Sequence, residues 1–197
     1  MQPLHVWHAQ LDYGAWPAED DLPSAERDRA EGLRRPQARR RWVASRWALR
    51  GILALYLERE PAGVELHFGE RGKPMLGAPD ESLRFNLSHS GGQALIAVGR
   101  EREVGADIER IGTRPEEFYV AWTRHEAIAK CFGTGLGVPL PDEPVAVSAL
   151  DPGTGFAGAV AVEGDELPPL QRFSAEPAIL SRYRRACGGP RWRSVAA

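Results

Sequence analysis

The chain is short of several things, and each shortage excludes something. Cysteine occurs only at Cys131 and Cys187 in 197 residues. Two cysteines make neither a disulfide framework nor a metal cluster, and they suit a reducing cytosol. Long apolar runs are missing: a stretch such as residues 94–98 falls far below the roughly 20 residues of a membrane span. The opening MQPLHVWHAQ has no basic segment and no apolar core, so no signal peptide is expected. An excess of positive charge is missing too. The formal net charge is −2, which argues against a nucleic-acid binder. The expectation is therefore a cytoplasmic protein with no membrane and no nucleic acid among its partners. Lysine is the most telling shortage: of 25 basic residues only Lys73 and Lys130 are not arginine. A compact ammonium suits a phosphate held at close range, so both become candidates for specific work. Chance placement on the surface is the simpler account of either one alone.

What remains is an ordinary globular composition, long enough for one domain or two small lobes around a real core. Strands are expected over residues 5–11, 65–68, 82–87, 93–98 and 104–109, with a turn at 88–92 and the 104–109 strand pairing with 93–98. Trp42, Leu49, Leu53 and Tyr56 recur at helical spacing and predict a helix over 37–57. A second helix is expected over 122–132, closed by the glycines that follow. Residues 145–150 and 158–162 read as a closing hairpin, and no element is expected from 168 onward.

Three short motifs carry chemistry. In V-G-A-D-I-E, residues 104–109, strand alternation puts Asp107 and Glu109 on one face beside Gly105. Neighbouring acids repel unless water or a cation accommodates them, so the pair is either a solvated edge or part of a hard-metal site. In W-T-R-H-E-A-I-A-K, residues 122–130, Glu126 and Lys130 share one helix face. Thr123 with Glu126 could be a capping box, and Glu126 with Lys130 an ordinary helical ion pair. The functional alternative makes Glu126 a third metal carboxylate and Lys130 a phosphate contact. In F-N-L-S-H-S, residues 85–90, Ser88 and His89 either cap a turn or help form an anion cradle. A dense arginine segment (Arg34, Arg35, Arg39, Arg40, Arg41, Arg46 and Arg50) is either a solvated face or a place for phosphate.

The order of these segments, with G-K-P at 72–74 between the basic helix and F-N-L-S-H-S, resembles the two-lobed 4′-phosphopantetheinyl transferases over residues 39–137. That resemblance implies an α+β fold of two similar lobes related by a pseudo-twofold, 1–100 holding the coenzyme A nucleotide and 101–197 holding magnesium and the catalytic helix. It implies transfer of the 4′-phosphopantetheine group of coenzyme A to a serine of an apo acyl or peptidyl carrier protein, by a monomer. Asp107, Glu109 and Glu126 would be the Mg2+ ligands. Arg46, Lys73, Ser88, His89 and Lys130 would bind coenzyme A, with Glu126 and Lys130 catalytic. Two departures stand out. His125 occupies a position where the family usually carries a second lysine, which weakens one phosphate contact or makes it pH-sensitive. Only twelve residues, 110–121, link Glu109 to Trp122, where relatives generally carry a longer segment with its own helix. These trims keep an alternative open, a coenzyme A-binding module without transferase activity.

Overall fold

The computed structural model describes residues 1–13, 15–69, 72–134, 138–140 and 142–177; Cys187 and most of the tail expected to lack structure lie outside them. The elements in chain order are β1 (Leu4–Gln10), α1 (Ser24–Glu31), α2 (Pro36–Leu57), β2 (His67–Phe68), β3 (Pro74–Met75) and β4 (Leu83–Ser90). They continue with β5 (Gln93–Arg100), β6 (Val104–Arg110), α3 (Glu116–Phe132), β7 (Val145–Leu150), β8 (Phe156–Glu163) and β9 (Leu170–Ala175). The mixture is α+β. The strands form a four-stranded sheet in the order β4-β5-β1-β9, a three-stranded sheet β6-β8-β7 and a small pair β2-β3. The chain divides into two compact units, Met1–His8 with Glu65–Phe173, and Ala9–Val64 with Ser174–Ala197.

The unit containing α1 and α2 accounts for much of the arginine. Pro36 opens α2, where its fixed φ suits a first turn and its missing N–H costs nothing. Val43 and Trp47 bury against Leu22 and Ala30. Arginines of α2 meet acids from the preceding segment: Arg39 pairs with Glu19 at 2.6 Å and Arg41 with Asp12 at 2.6 Å. Arg46 and Arg50 share the two oxygens of buried Glu26, at 2.7 and 2.6 Å. Arg50 also donates to the carbonyls of Pro61 and Val64.

In the other unit, Val104, Ala106 and Ile108 of β6 bury with Leu4, Val6, Leu95, Ala97, Val160 and Val162. The opposite face of the three-stranded sheet receives α3, whose Ala127 and Cys131 pack on Ala159 and Ala161. Contact is close enough that a Cβ at Gly105 would overlap the Ala127 carbonyl oxygen and sit 2.6 Å from the Cys131 nitrogen.

Several expectations need correcting. Strand β4 runs to Ser90, and the turn shrinks to Gly91 and Gly92, because Ser90 pairs with Gln93 and Gly91 takes φ +56°. Polar residues there are strand residues whose side chains find backbone donors on β6. Strand β6 pairs with β8, Asp107 opposite Ala159, rather than with β5. Helix α3 begins at Glu116 instead of 122, with Pro115 before it and two acids in its first turn complementing the dipole. The short link therefore contains the first turns of the helix. Strand β9 forms where no element was expected, and the strand expected at 65–68 is only the two-residue β2.

Gly105→Ala is expected to destabilise the protein by about 1–3 kcal/mol, since helix backbone rather than a flexible side chain would have to move. Urea denaturation checks it against Gly63→Ala, where a new Cβ meets nothing within 4 Å.

Candidate active site: the seam of β4, β6 and α3

The approach at Gly105 decides which side chains meet. Asp107 and Glu109 stand on the same face of β6 as Gly105, so they point toward α3. One helical turn separates Glu126 from Lys130, and both come down beside the acids. Gly133, with φ +69°, ends α3 by donating its N–H to the Ala129 carbonyl. Thr123 lies within the helix, its hydroxyl donating to the Val120 carbonyl at 3.2 Å, so the capping-box reading is not realised. Lys130 gives its ion pair to Asp107, 2.5 Å away, and the simple helical-pair reading gives way to a bridge from helix to strand.

Asp107 is 2 % exposed. A carboxylate so deeply buried requires compensation. Its Oδ1 accepts from Lys130 Nζ and, at 2.8 Å, from the Ser88 hydroxyl. The Ser88 oxygen in turn accepts from Lys130 Nζ at 2.9 Å and from the Ile108 N–H at 3.4 Å. Among the described residues, two buried carboxylate oxygens have no hydrogen-bond partner, Asp107 Oδ2 and Glu126 Oε1. Burial pushes the Glu126 carboxyl above its ordinary value of 4.5. Asp107 and Glu109 push the same way, opposed by Lys130 and His125.

Among the described residues, no three His, Cys, Asp or Glu side chains form a ready-made metal-holding group. The donor chemistry still fits magnesium. It takes one or two carboxylates, keeps several waters and completes its shell with substrate phosphate. Two desolvated, partnerless carboxylate oxygens are what such an ion would satisfy.

The other expected residues stand elsewhere. His89 is exposed and, by strand alternation, faces away from Ser88. Lys73 donates to Glu103 at 2.7 Å and to the Cys131 carbonyl at 2.6 Å, at the C-terminal end of α3. Arg46 belongs to the other unit, buried on Glu26 and 5.7 Å from the Trp42 ring centroid. The seam thus gathers Ser88, Asp107, Glu109, Glu126 and Lys130. It does not gather His89 or Lys73. Asn86 and Ser90 were missed by sequence reasoning, although Asn86, Ser88 and Ser90 recur at the period of a strand face. Cys131 is no rival nucleophile, because burial pushes its thiol up to about 12.

A raised folded pKa means the folded chain holds the Glu126 proton more tightly than the unfolded chain. That contribution to stability is complete below pH 4.5 and is lost as pH rises through the folded value. Glu126→Gln is therefore expected to match the wild type near pH 4 and to melt higher at pH 7–8. Thermal melts in chelator-containing buffer across that range check it.

No protein-family model matches the chain. Similarity to individual proteins is clear. The chain is 33% identical over 181 residues to the 4′-phosphopantetheinyl transferase HetI of Nostoc sp., covering 76% of each. It is 29% identical over 178 residues to a phosphopantetheinyl transferase of Thraustochytrium sp., covering 68% of this chain and 62% of that one. It is 35% identical over 137 residues to the 4′-phosphopantetheinyl transferase AcpT of Escherichia coli K12, covering 55% and 64%. With a relative of that identity matched over three quarters of both lengths, and a buried acid–lysine seam where the motifs fall, the chain belongs to the 4′-phosphopantetheinyl transferase family of enzymes.

Proposed function

We propose that the protein transfers the 4′-phosphopantetheine group of coenzyme A to a serine of an apo acyl or peptidyl carrier protein, with Mg2+ as cofactor. One observation carries the reading. Asp107 Oδ2 and Glu126 Oε1 are buried without partners beside Lys130, whose own charge is already committed to Asp107. A divalent cation bringing substrate phosphate would satisfy both oxygens, with Glu109 as the third acid. When bound, the ion supplies charge for the phosphate oxygens in the transition state.

The chain's own residues do the rest. Lys130, whose side chain is about one-third exposed at the seam, would exchange Asp107 for the pyrophosphate. Glu126, with its raised pKa, takes the proton from the carrier serine hydroxyl directly or through one water. The serine oxygen bonds to the phosphorus bearing the pantetheine arm, and the bond from that phosphorus to 3′,5′-ADP breaks. Arg46, Lys73 and His89 are proposed to hold the 3′-phosphate and adenine end, and Ser88, beside Asp107 and Lys130, to meet coenzyme A from the seam. Arg46 and Lys73 would exchange their present carboxylates for phosphate. On this reading residues 1–100 and 101–197 are functional halves of a pseudo-twofold, two-lobed enzyme, active as a cytoplasmic monomer. No helix among the described residues is long and apolar enough to cross a membrane.

Mass spectrometry of an apo carrier protein incubated with enzyme, coenzyme A and Mg2+ tests the function. A gain of one phosphopantetheine group is expected, and an unchanged carrier mass across several carrier proteins would refute it. Asp107→Asn keeps the shape and removes the charge, and is expected to lower turnover by about a hundred- to a thousandfold, the scale of losing a principal charge-stabilising group. Lys73→Ala is expected to raise the KM for coenzyme A more than it lowers kcat, because its contact is remote from the reacting phosphorus. Steady-state kinetics, with dephospho-coenzyme A as the comparison substrate, check this.

A further inference from the structure

Strands β4 and β6 edge their respective sheets, and no backbone ladder joins them. Side chains do. Asn86 Oδ1 accepts from the Ala106 N–H at 3.0 Å, the Ser88 hydroxyl oxygen from the Ile108 N–H at 3.4 Å, and the Ser90 hydroxyl oxygen from the Arg110 N–H at 3.1 Å. The separation along the chain is 20 residues at every rung, so the two strands run side by side in one direction. An edge strand leaves alternate N–H groups without partners. Here they are met by a polar residue at every second position of β4.

The same hydroxyls have a second contact. Ser88 donates its proton to Asp107 Oδ1 at 2.8 Å and Ser90 donates its proton to Glu109 Oε2 at 2.8 Å. Each serine therefore binds one oxygen of an acid and the backbone N–H of the residue after it, and the arrangement repeats two residues along. A hydroxyl has one proton to donate and two lone pairs to accept with. The Asp107 rung takes Oδ1 and leaves the partnerless Oδ2; the Glu109 rung takes Oε2. At the Asn86 rung the corresponding preceding residue is Gly105, which has no carboxylate to hold.

We infer that Ser90 is a positioning residue for Glu109: its hydroxyl fixes the carboxylate rotamer through Oε2, so that Oε1 is presented for the divalent cation together with Asp107 Oδ2. The inference rests on the reading of Asp107 and Glu109 as cation ligands. Hydrogen bonds to ligand carboxylates orient them, and their loss costs about 10–100-fold in metal affinity.

The probe is Mn2+, a paramagnetic ion of the same oxygen preference, titrated into the full chain without coenzyme A and followed by electron paramagnetic resonance. Ser90→Ala is expected to weaken Mn2+ binding about tenfold. Ser90→Thr, which keeps the hydroxyl, is expected to stay within about twofold of wild type, on the same principle that the donor matters. In a Glu109→Gln background, Ser90→Ala should cost no further affinity. A purely structural Ser90 would lower the melting temperature with affinity unchanged, or weaken affinity equally in both backgrounds; either result overturns the inference while leaving the acids as ligands. Wild type that takes up no Mn2+ at millimolar concentration removes the ligand reading and the inference with it.

Discussion

Helix α3 can lie on strand β6 because residue 105 has no side chain, and the rest of the site follows from that contact. The backbone of Ala127 and Cys131 occupies the space a Cβ would need. With the helix that close, Glu126 and Lys130 reach the level of Asp107 and Glu109 without spanning a gap. Had a larger residue held the helix away, Asp107 would be a buried carboxylate with no cation within reach. Such a charge costs several kcal/mol unless paired. Proximity and charge compensation are therefore one requirement, and the small residue in V-G-A-D-I-E meets it.

A second requirement concerns the strand edges. Two sheets that end beside one another expose backbone donors, and an unpaired buried N–H is costly. Serine and asparagine on β4 meet these donors through side chains rather than through a ladder. Apolar residues would leave the donors unpaired, and direct backbone pairing would leave no hydroxyl for the acids. The polar alternation of β4 thus joins the sheets and supplies contacts to the carboxylates.

The basic residues divide by chemistry. Planar guanidinium groups of α2 take carboxylates two-pronged, as Arg39 does on Glu19 and Arg41 on Asp12, while Arg46 and Arg50 divide the two oxygens of Glu26 between them. Both lysines instead work at α3. Lys130 bridges to Asp107, and Lys73 donates to the Cys131 carbonyl at the helix C-terminus, where the dipole favours a cation. Their scarcity pointed to specific placement, although for Lys73 the partners in hand are a carboxylate and a helix end.

Local pattern was enough for the elements that depend on periodicity alone. The helix of α2, the strand β6 with its two acids on one face, and the β7–β8 hairpin could be read from spacing, since alternation and the 3.6-residue turn are properties of the chain itself. The shared helix face of Glu126 and Lys130 was legible for the same reason. Tertiary structure alone decided the partners. Asp107 meets Ser88 and Lys130, Arg46 meets Glu26, β6 pairs with β8, and β4 stays a strand through Ser90 because the edge of β6 offers it donors. Each of these outcomes depends on a group distant in sequence. A polar serine looks the same in a turn as in a strand until the N–H it accepts from is brought beside it.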